Sequence, residues 1–264
     1  VLTNDIGLIA IIENNQLQGF NIAIGGGLST THGNPNTYAR LASVIGFTGN
    51  EEKTLRTVYE ILTIQRDYGN RSDRKRARLK YTLDEYGIEW FRSEIEKRTG
   101  FTLDPVRDFQ FTERKDYYGW VRDHRGLWHY TLFIENGQVQ DKEGYLLKTG
   151  LLEIAHTGKS AFQFTGNQNL MLANVLEANK SEIQELLEKF GIAQATEKAS
   201  LLRKNAMAGV ALPTCPLALA EGQRYLPELI DKIEPLLKKH GLENEAITIR
   251  MTGCPNGCSR PYSA

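Results

Sequence analysis

The stretch Thr252-Gly253-Cys254-Pro255-Asn256-Gly257-Cys258-Ser259-Arg260-Pro261 holds two of the three cysteines of the chain, and Ala211-Leu212-Pro213-Thr214-Cys215-Pro216 holds the third. Both stretches are rich in proline and glycine, which favour loops over regular elements. Three is an odd number for disulfides, and the spacing of Cys254 and Cys258 is typical of metal ligands. The cysteines therefore predict an iron–sulfur site, with small buried residues as the alternative.

The TGCPNGC segment, preceded by LPTCPLA at residues 212–218, resembles the siroheme-dependent sulfite and nitrite reductases, and within them the sulfite reductases most. That family holds one [4Fe–4S] cluster with four cysteines, spaced Cys-x5-Cys and, about forty residues later, Cys-x3-Cys. The resemblance implies that Cys215, Cys254 and Cys258 bind the cluster. It also implies that Cys258 is catalytic, as the bridge from the cluster to the siroheme iron.

Gly209 stands six residues before Cys215, where the family pattern has its remaining cysteine. Glycine has no side chain that binds iron, and a cubane cluster takes one donor for each iron. Three explanations stay open. They are a natural or engineered substitution, a three-iron or solvent-ligated cluster, and a chain that no longer assembles its cofactor.

The resemblance implies an assimilatory sulfite reductase, which reduces sulfite to sulfide by six electrons. Its cofactors would be siroheme and a [4Fe–4S] cluster, and its electron donor an NADPH-dependent flavoprotein or ferredoxin. The chain would be the middle-to-late part of a longer protein, so the N-terminal half of that protein would be a partner. A siroheme nitrite reductase is one alternative, and a cofactor-free structural or interaction module, favoured by Gly209, is another.

Composition limits the other function classes. The chain has 264 residues, of which 41% are hydrophobic, with 32 basic and 32 acidic residues and a formal net charge of zero. This balance does not favour nucleic acid or a membrane surface as a partner. No run approaches the roughly 18 apolar residues that a bilayer span requires. We therefore expect a cytoplasmic protein, where cysteines stay reduced.

Hydrophobic periodicity and the resemblance together predict a mixed α+β fold in three regions. Residues 1–120 would form a siroheme-binding α/β domain, residues 121–196 a ferredoxin-like half-domain, and residues 197–264 the start of an iron–sulfur and siroheme domain. Near the N-terminus, two β-rich runs flank Asn14-Asn15-Gln16 and predict a hairpin. The triple glycine Gly25–Gly27 follows, and it favours either close approach to a ligand or an unusual turn.

Two helices are predicted between residues 50 and 100. The first follows the three- and four-residue spacing of Leu55, Val58, Ile61, Leu62 and Gln65. The second, capped by Ser72-Asp73, carries the densest positive cluster of the chain: Arg71, Arg74, Lys75, Arg76, Arg78 and Lys80.

Such a cluster is usually a solvated helix face, but the carboxylates of a siroheme would need cationic partners. Arg74 and Arg78 would share one face of the predicted helix, and Lys80 would project from another. The resemblance places siroheme contacts in this segment, and we expect them at Lys75, Arg78 and Lys80.

The second region is predicted as β-α-β-β-α, with a hairpin turn at Glu135-Asn136-Gly137-Gln138. Within it, the segment Thr165–Asn169 resembles a family element that lines the siroheme pocket. Amide side chains donate hydrogen bonds without adding charge, so Gln168 and Asn169 are expected to contact the cofactor. The alternative is a polar turn between strands.

In the last region, residues 217–219 and 225–237 have a helical pattern that Pro227 and Pro235 are expected to interrupt. A short strand at residues 247–251 would lead into the cysteine loop. Thr252 and Asn256 are candidate donors to cluster sulfides or siroheme, with turn formation as the alternative. The five histidines show no ligand spacing and are expected at the surface or in the core: His32, His124, His129, His156 and His240.

Overall fold

The computed structural model describes residues 1–31, 33–112 and 115–260, so the prediction for His32 lies outside the described residues. The chain divides into two compact units, Val1–Thr112 and Glu113–Ala264. The mixed α+β fold class is confirmed. The three-region division, with boundaries after residues 120 and 196, stays a prediction. Within the described ranges, no helix combines the length and the apolar composition that crossing a bilayer requires.

The first unit contains a three-stranded antiparallel sheet in the order β1-β2-β3. Strand β1 is Ile6–Glu13, β2 is Gln16–Ile24 and β3 is Ser43–Thr48. Asn14 and Asn15 connect β1 to β2 with φ of 52° and 59°. Two positive φ angles are what a two-residue hairpin turn requires, and asparagine tolerates them. The predicted hairpin is confirmed.

Three helices cover this sheet: α1 (Glu51–Tyr68), α2 (Leu79–Tyr86) and α3 (Ile88–Thr99). They share one core with the strands, built from residues that include Ile22, Ile24, Ile61, Ile64, Phe91 and Ile95. Asn50 caps α1 by accepting a hydrogen bond from the Lys53 amide.

The predicted buried face of α1 is wrong in part. Ile61 is buried, but Leu55 and Leu62 are 60% and 57% exposed. The core side of the helix instead includes Thr54 and Thr57. The hydroxyl groups of these threonines donate to carbonyl oxygens of the preceding turn, so both side chains enter the core without an unsatisfied donor. The spacing of large aliphatic residues therefore predicted the wrong buried face for α1.

The single basic helix predicted after Ser72 is also wrong. Asp73 caps only a short 3-10 turn, Arg74–Arg76, and the chain is extended at Arg78 before α2 begins. Arg74 and Arg78 therefore do not share a helix face. Lys80 is completely buried in the first turn of α2, whereas Lys75 is exposed.

The second unit contains a four-stranded antiparallel sheet in the order β4-β5-β9-β8. Its strands are β4 (Gly119–Arg122), β5 (Trp128–Leu132), β8 (Ala161–Phe164) and β9 (Leu170–Val175). Helices α4 (Leu147–Thr157) and α5 (Lys180–Lys189) pack against it in a core that also includes residues of α6 (Ile192–Lys198). A small pair, β6 (Asp141–Lys142) and β7 (Tyr145–Leu146), precedes α4.

One strand of this region was missed and one prediction needs correction. Strand β4 was not predicted, and it crosses the boundary expected after residue 120. Asn136 and Gly137 do adopt positive φ, but the segment is a 3-10 turn and not a hairpin. The reason is that the strand after this turn does not pair with β5, whose neighbours in the sheet are the preceding strand β4 and the later strand β9.

The last part of the chain has its own core of residues that include Leu202, Ala208, Leu226 and Ile230. It contains α7 (Leu201–Asn205), β10 (Ala206–Ala208), α8 (Leu226–Lys239) and β11 (Ile249–Met251). The predicted strand before the cysteine loop is confirmed as β11.

Prolines do not interrupt α8 as predicted. Pro227 lies in the first turn, where its missing N–H has no helical partner to lose, and the exposed Pro235 lies inside the continuing helix. Leu217–Leu219, also predicted helical, form no helix. This segment is held by other bonds, since the Leu219 amide donates to Gly253 O.

Candidate metal centre

Strands β10 and β11 are parallel and pair Ala206–Ala208 with Ile249–Met251. Helix α8 lies between them in the chain and supplies the crossover that parallel strands require. The carboxyl ends of both strands therefore meet at one edge of the sheet, which is where loops commonly bind ligands in parallel sheets. The loops at this edge carry Cys215 after β10, and Cys254 and Cys258 after β11.

Backbone hydrogen bonds join these loops. The Gly209 amide donates to Met251 O at 2.9 Å, which extends the pairing of the two strands by one residue. The Leu219 and Ala220 amides both donate to Gly253 O, at 2.8 and 3.2 Å. The loop that contains Cys215 is therefore fastened to the loop that contains Cys254.

The three thiols are free, with Cys258 exposed and Cys215 and Cys254 half-buried. In residues 1–31, 33–112 and 115–260, no three His, Cys, Asp or Glu side chains form a closed group for a metal ion. The fold thus gathers the cysteine loops at one edge, without drawing the thiols into a finished ligand set.

Gly209 lies directly beside Cys258. A Cβ atom built on Gly209 would be 3.4 Å from the Cβ of Cys258, which is at the limit of ordinary van der Waals contact. Gly209 is also absent from the residues with positive φ, so its backbone is open to any side chain. The position of the missing cysteine is therefore at the candidate metal centre and has room for a side chain.

Gln168 is brought to this edge as well. Its Nε2 donates to Ala208 O at 2.9 Å, one residue before Gly209. Its Oε1 is buried and has no hydrogen-bond partner in the part of the chain that the structure describes. Such an orphaned acceptor is costly unless a ligand or water donates to it. The predicted role of Gln168 as a donor to a cofactor stays a prediction, since its Nε2 is already bonded to Ala208 O and the unused atom is an acceptor.

Three residues at this edge have backbone angles that side chains disfavour. Gln168, Ala211 and Arg260 have φ of 65°, 56° and 56°, and the other non-glycine residues with positive φ in the described ranges are all asparagine. Strain of this kind gathers at functional sites when the surrounding structure enforces it. Sequence reasoning missed Ala211 and Arg260, because no residue type there signals a left-handed backbone.

Arg260 adds a cation to the edge. Its Nη2 donates to Asn167 Oδ1 at 2.9 Å, so it ties the end of the cysteine loop to the Thr165–Asn169 segment. Ala211 packs against glycines on both sides, since a Cβ on Gly222 or Gly253 would lie 2.9 or 2.6 Å from its own Cβ.

The side chain of Asn169 forms its hydrogen bonds within the second unit. It is 2% exposed, its Oδ1 accepts from the Ile134 amide at 2.8 Å, and its Nδ2 donates to Asp116 at 2.8 Å and to Tyr118 at 3.0 Å. Burial, together with the negative charge of Asp116, raises the pKa of Tyr118 well above its usual range. These bonds give Asn169 a structural role, and its predicted contact with siroheme stays untested.

Thr252 and Asn256 shape the cysteine loop. The Thr252 hydroxyl donates to Cys254 O at 2.7 Å and accepts from the Cys254 amide at 3.4 Å, so it closes the turn that presents this thiol. Asn256 is exposed between the two cysteines. Both residues lie where they were expected, and a contact with a cofactor stays a prediction for each.

The basic residues predicted to contact siroheme lie in the first unit. Lys75 is exposed, Arg78 forms an ion pair with Asp5 at 2.7 Å, and Lys80 is completely buried. The three residues therefore have different surroundings, although the sequence treated them alike.

The donor chemistry fits an iron–sulfur cluster in part. Three thiols in joined loops suit iron, whereas the buried Oε1 of Gln168 is an acceptor and would find no donor in cluster sulfides or thiolates. A [4Fe–4S] cluster would need a fourth ligand, and the position where the family pattern has that cysteine is Gly209.

Comparison with known proteins gives the family of the chain. Residues 1–103 match the family described as the nitrite and sulphite reductase 4Fe-4S domain, and residues 121–190 match the nitrite/sulfite reductase ferredoxin-like half domain. The structure resembles that of the NirA protein of Mycobacterium tuberculosis, with a TM-score of 0.73 and 26% sequence identity. The match covers 98% of this chain and 46% of that chain.

Among curated relatives, the chain is 60% identical over 262 residues to the sulfite reductase (NADPH) hemoprotein beta-component of Leptospira biflexa. The matched segment covers 99% of this chain and 47% of the relative. The protein of the same name from Afipia carboxidovorans is 52% identical over 264 residues, with 100% and 45% covered. The chain thus spans about half the length of the curated relatives it matches. From these matches and the cysteine loops, the chain belongs to the nitrite and sulfite reductase family.

Proposed function

We propose that this chain is the cluster-bearing part of an assimilatory sulfite reductase hemoprotein, which reduces sulfite to sulfide by six electrons. The observation that carries the proposal is the meeting of the Gly209, Cys215 and Cys254–Cys258 loops at the carboxyl edge of β10 and β11. The relatives that match nearly the whole chain carry the sulfite reductase name at 51 to 60% identity.

In this proposal, Cys215, Cys254 and Cys258 hold the cluster, and Cys258 also serves as the link to the siroheme. When bound, the cluster and the siroheme supply single-electron transfer and an iron that binds the substrate. The exposure of Cys258 supports its role, because a bridging thiolate must be reachable from outside the loop. The turn closed by Thr252 would fix the direction of the Cys254 thiol.

At the edge, the side-chain amide of the exposed Asn256 would donate to a carboxylate of the siroheme, and Gln168 is proposed as a second contact. In the first unit, taken by itself, Lys75 offers an exposed ammonium for a carboxylate. Arg78, Lys80 and Asn169 stay candidate siroheme contacts in this proposal. Their geometry supports them less, because their polar atoms already form hydrogen bonds within the chain.

The partners in this proposal are sulfite, the N-terminal half of the same protein and an electron donor. The relatives' name includes NADPH, which supports a flavoprotein donor over ferredoxin. Three free cysteines suit the reducing cytoplasm, which we propose as the location. The three regions with boundaries after residues 120 and 196 belong to the proposal as its domains, and three separate hydrophobic cores support them.

Product analysis tests the proposed reaction. The chain is expressed with siroheme synthesis and iron supplied, both by itself and together with the N-terminal half of the Leptospira biflexa relative, and is assayed anaerobically with reduced methyl viologen. Sulfide from sulfite in excess of ammonia from nitrite supports sulfite reduction. Ammonia in excess would instead support nitrite reduction, and a folded protein without pigment or product in either form would support the cofactor-free module.

A further inference from the structure

The turn at Glu135–Gly137 has the backbone angles of a hairpin turn without connecting a hairpin. Asn136 and Gly137 have φ of 53° and 70°, and the Gly137 amide closes the turn on Ile134 O at 3.1 Å. Asparagine and glycine are the residues that tolerate such angles. The next strand does not pair with β5, so no hairpin accounts for them. The residues that the turn contacts explain them instead.

Asn136 of this turn and Gln223 exchange two hydrogen bonds. Asn136 Nδ2 donates to the backbone oxygen of Gln223 at 3.0 Å, and Gln223 Nε2 donates to the backbone oxygen of Asn136 at 3.3 Å. Both side chains are half-buried. Each side-chain amide therefore satisfies the main chain of the other residue, across a separation of 87 residues in the sequence.

Gln223 is bonded in turn to Gly209, the position of the missing cysteine. The Gln223 amide donates to Gly209 O at 3.0 Å, and the Gly209 amide donates to Met251 O at 2.9 Å. These bonds form one row that begins at Asn136 and ends at Met251, the last residue of β11. Amide groups joined end to end polarise one another, so the bonds of such a row strengthen each other. The row fixes both backbone groups of Gly209.

Gly222 shows how closely the two ends of the loop at residues 209–223 approach each other. A Cβ atom on Gly222 would lie 2.9 Å from Gly209 O and 2.9 Å from the Cβ of Ala211. Gly222 is buried and is absent from the residues with positive φ, so the position needs glycine for space and not for its backbone angles. Within the loop, the Cys215 amide donates to Ala211 O at 2.8 Å. The row of bonds therefore closes the base of the loop that presents Cys215.

Glu135 gives the turn a second attachment, to the helices on either side of this loop. The half-buried Arg203 of α7 forms ion pairs with Glu135 and with Asp231 of α8, the latter at 2.5 Å. Helix α7 precedes β10, and α8 follows the loop. Partly buried ion pairs are screened by salt less than exposed ones, so the pair of Arg203 with Glu135 should persist at physiological ionic strength. The turn is therefore bonded to both flanks of the loop.

We propose that Asn136 and Gln223 are positioning residues for the metal centre, which hold the 209–223 loop closed and so fix Cys215 relative to the other two thiols. The support is the 135–137 turn, which lies in the segment that matches the ferredoxin-like half domain. Asn136 acts at a distance, through Gln223 and Gly209. This role deepens the proposed function and rests on it for the metal that the thiols would bind.

Thiol alkylation of the reduced chain without cofactor tests this role. Asn136→Gly keeps the positive φ and the backbone acceptor, and it removes the donor to Gln223. Cys215 should react with iodoacetamide about fivefold faster, because the loss of one hydrogen bond favours opening of the loop by about that factor. Hydrogen–deuterium exchange at the Gln223 amide should rise by the same factor.

The other two cysteines are the internal reference. Thr252 and Ser259 bond the loop of Cys254 and Cys258 to its own main chain, so both thiols should keep their rates in Asn136→Gly. Tandem mass spectrometry of the peptides reads the three rates separately. Asn15→Gly is the matched control, since Asn15 also has positive φ and lies exposed in the β1–β2 turn, and it should leave all three rates unchanged.

Two labelling results would overturn the positioning role. One is an unchanged rate at Cys215 in Asn136→Gly, and the other is an equal rise at all three cysteines, which would indicate a general loss of stability. If Asn136→Gly does not fold, Gln223→Met takes its place. Methionine keeps the length of the side chain and removes the reciprocal donor, and the variant is judged by the same criterion.

Reconstitution with iron and sulfide separates this role from the proposed function. If the unaltered chain takes up iron, the electron paramagnetic resonance spectrum of the reduced cluster should change in Asn136→Gly and stay the same in Asn15→Gly. An unchanged spectrum at equal iron content would also overturn the positioning role. If the unaltered chain takes up no iron, the proposed function fails, and the labelling rates alone decide whether the turn holds the loop.

Discussion

Gly209 and Cys258 are neighbours: a Cβ atom on Gly209 would lie 3.4 Å from the Cβ of Cys258. The relationship arises because Gly209 extends β10 beside β11, whose following loop contains Cys258. The residue that is missing from the four-cysteine pattern would thus be missing at the candidate metal centre itself. The proximity supports a cluster site that lacks one ligand. It argues against a substitution too far from the cysteines to affect the cluster.

Gly209→Cys should raise cluster content. The new thiol would add the fourth donor, and the backbone at Gly209 accepts a side chain without a positive φ. The measurement is iron and acid-labile sulfide per chain after anaerobic reconstitution. Reductant must be present, because a Cβ separation of 3.4 Å is close to the distance at which cysteines form disulfides.

The matched control is Gly49→Cys, which adds a thiol to the first unit. A Cβ there meets only Phe47, at 3.8 Å, so the substitution fits equally well. Its iron and sulfide content should equal that of the unaltered chain. Equal content in both variants would show that a fourth thiol at Gly209 is not what the site lacks.

Ile61→Ala and Leu62→Ala should differ sharply in stability, although the residues are adjacent in α1. Ile61 is completely buried and Leu62 is 57% exposed. Truncation of Ile61 should lower the free energy of unfolding by about 2–5 kcal/mol. Truncation of Leu62 should change it by no more than about 0.5 kcal/mol. Urea unfolding followed by circular dichroism measures both, and similar losses would contradict the observed burial of this helix.

Asn169→Ala should destabilise the chain before any cofactor is considered. The substitution leaves the buried Ile134 amide without its acceptor and removes a donor from Asp116. An unsatisfied buried group costs about 1–3 kcal/mol, so we expect a loss of at least that size in urea unfolding. Asn256→Ala is the control, because that side chain is exposed. An Asn169→Ala variant as stable as the unaltered chain would contradict the structural role of this residue.

Asp67 should make the first unit sensitive to acid. Hydrogen bonds from Arg66 and then Arg98 lower the pKa of Asp67 from 3.8 to about 2. The unfolded chain therefore takes up this proton first as the pH falls. The stabilising contribution is complete above pH 3.8 and is lost as the pH falls toward about 2.

Asp67→Asn removes this dependence. Its free energy of unfolding should fall less steeply with acid across that window than that of the unaltered chain, as measured by urea unfolding at a series of pH values. Glu85→Gln, which removes an exposed carboxylate from α2, should keep the original slope. A slope in Asp67→Asn equal to that of the unaltered chain would show that the Arg66 and Arg98 bonds do not persist in solution.

Much of the fold could be predicted from local signals. The Asn14-Asn15 hairpin follows from residues that tolerate positive φ, and the strand before Cys254 follows from its β-rich run. The buried face of α1 could not, because threonines with internally bonded hydroxyl groups entered the core in place of exposed leucines. Periodicity counts apolar side chains, and it does not register how a hydroxyl is satisfied.

The candidate site shows the same division. The cysteine pattern predicted the loops, since ligand spacing is local in the chain. The distinction between Lys75 and Lys80 was not predictable, because it depends on carbonyl oxygens more than forty residues away. Long-range partners also decide that Asn169 is internal, and the sequence does not reveal that Gln168 Oε1 lacks a partner among the described residues. From side-chain type alone, the two lysines are equally good candidates for a cofactor contact, and so are the two amides.

The measurement to make first is the visible absorption spectrum of the anaerobically reconstituted chain, with its iron and acid-labile sulfide content and with Cys258→Ser beside it. If the joined cysteine loops form a metal centre, the unaltered chain should show siroheme and cluster absorption with iron and sulfide below full occupancy, and Cys258→Ser should lose most of both. A folded, colourless and iron-free chain, or equal pigment in Cys258→Ser, would contradict a metal centre at this edge.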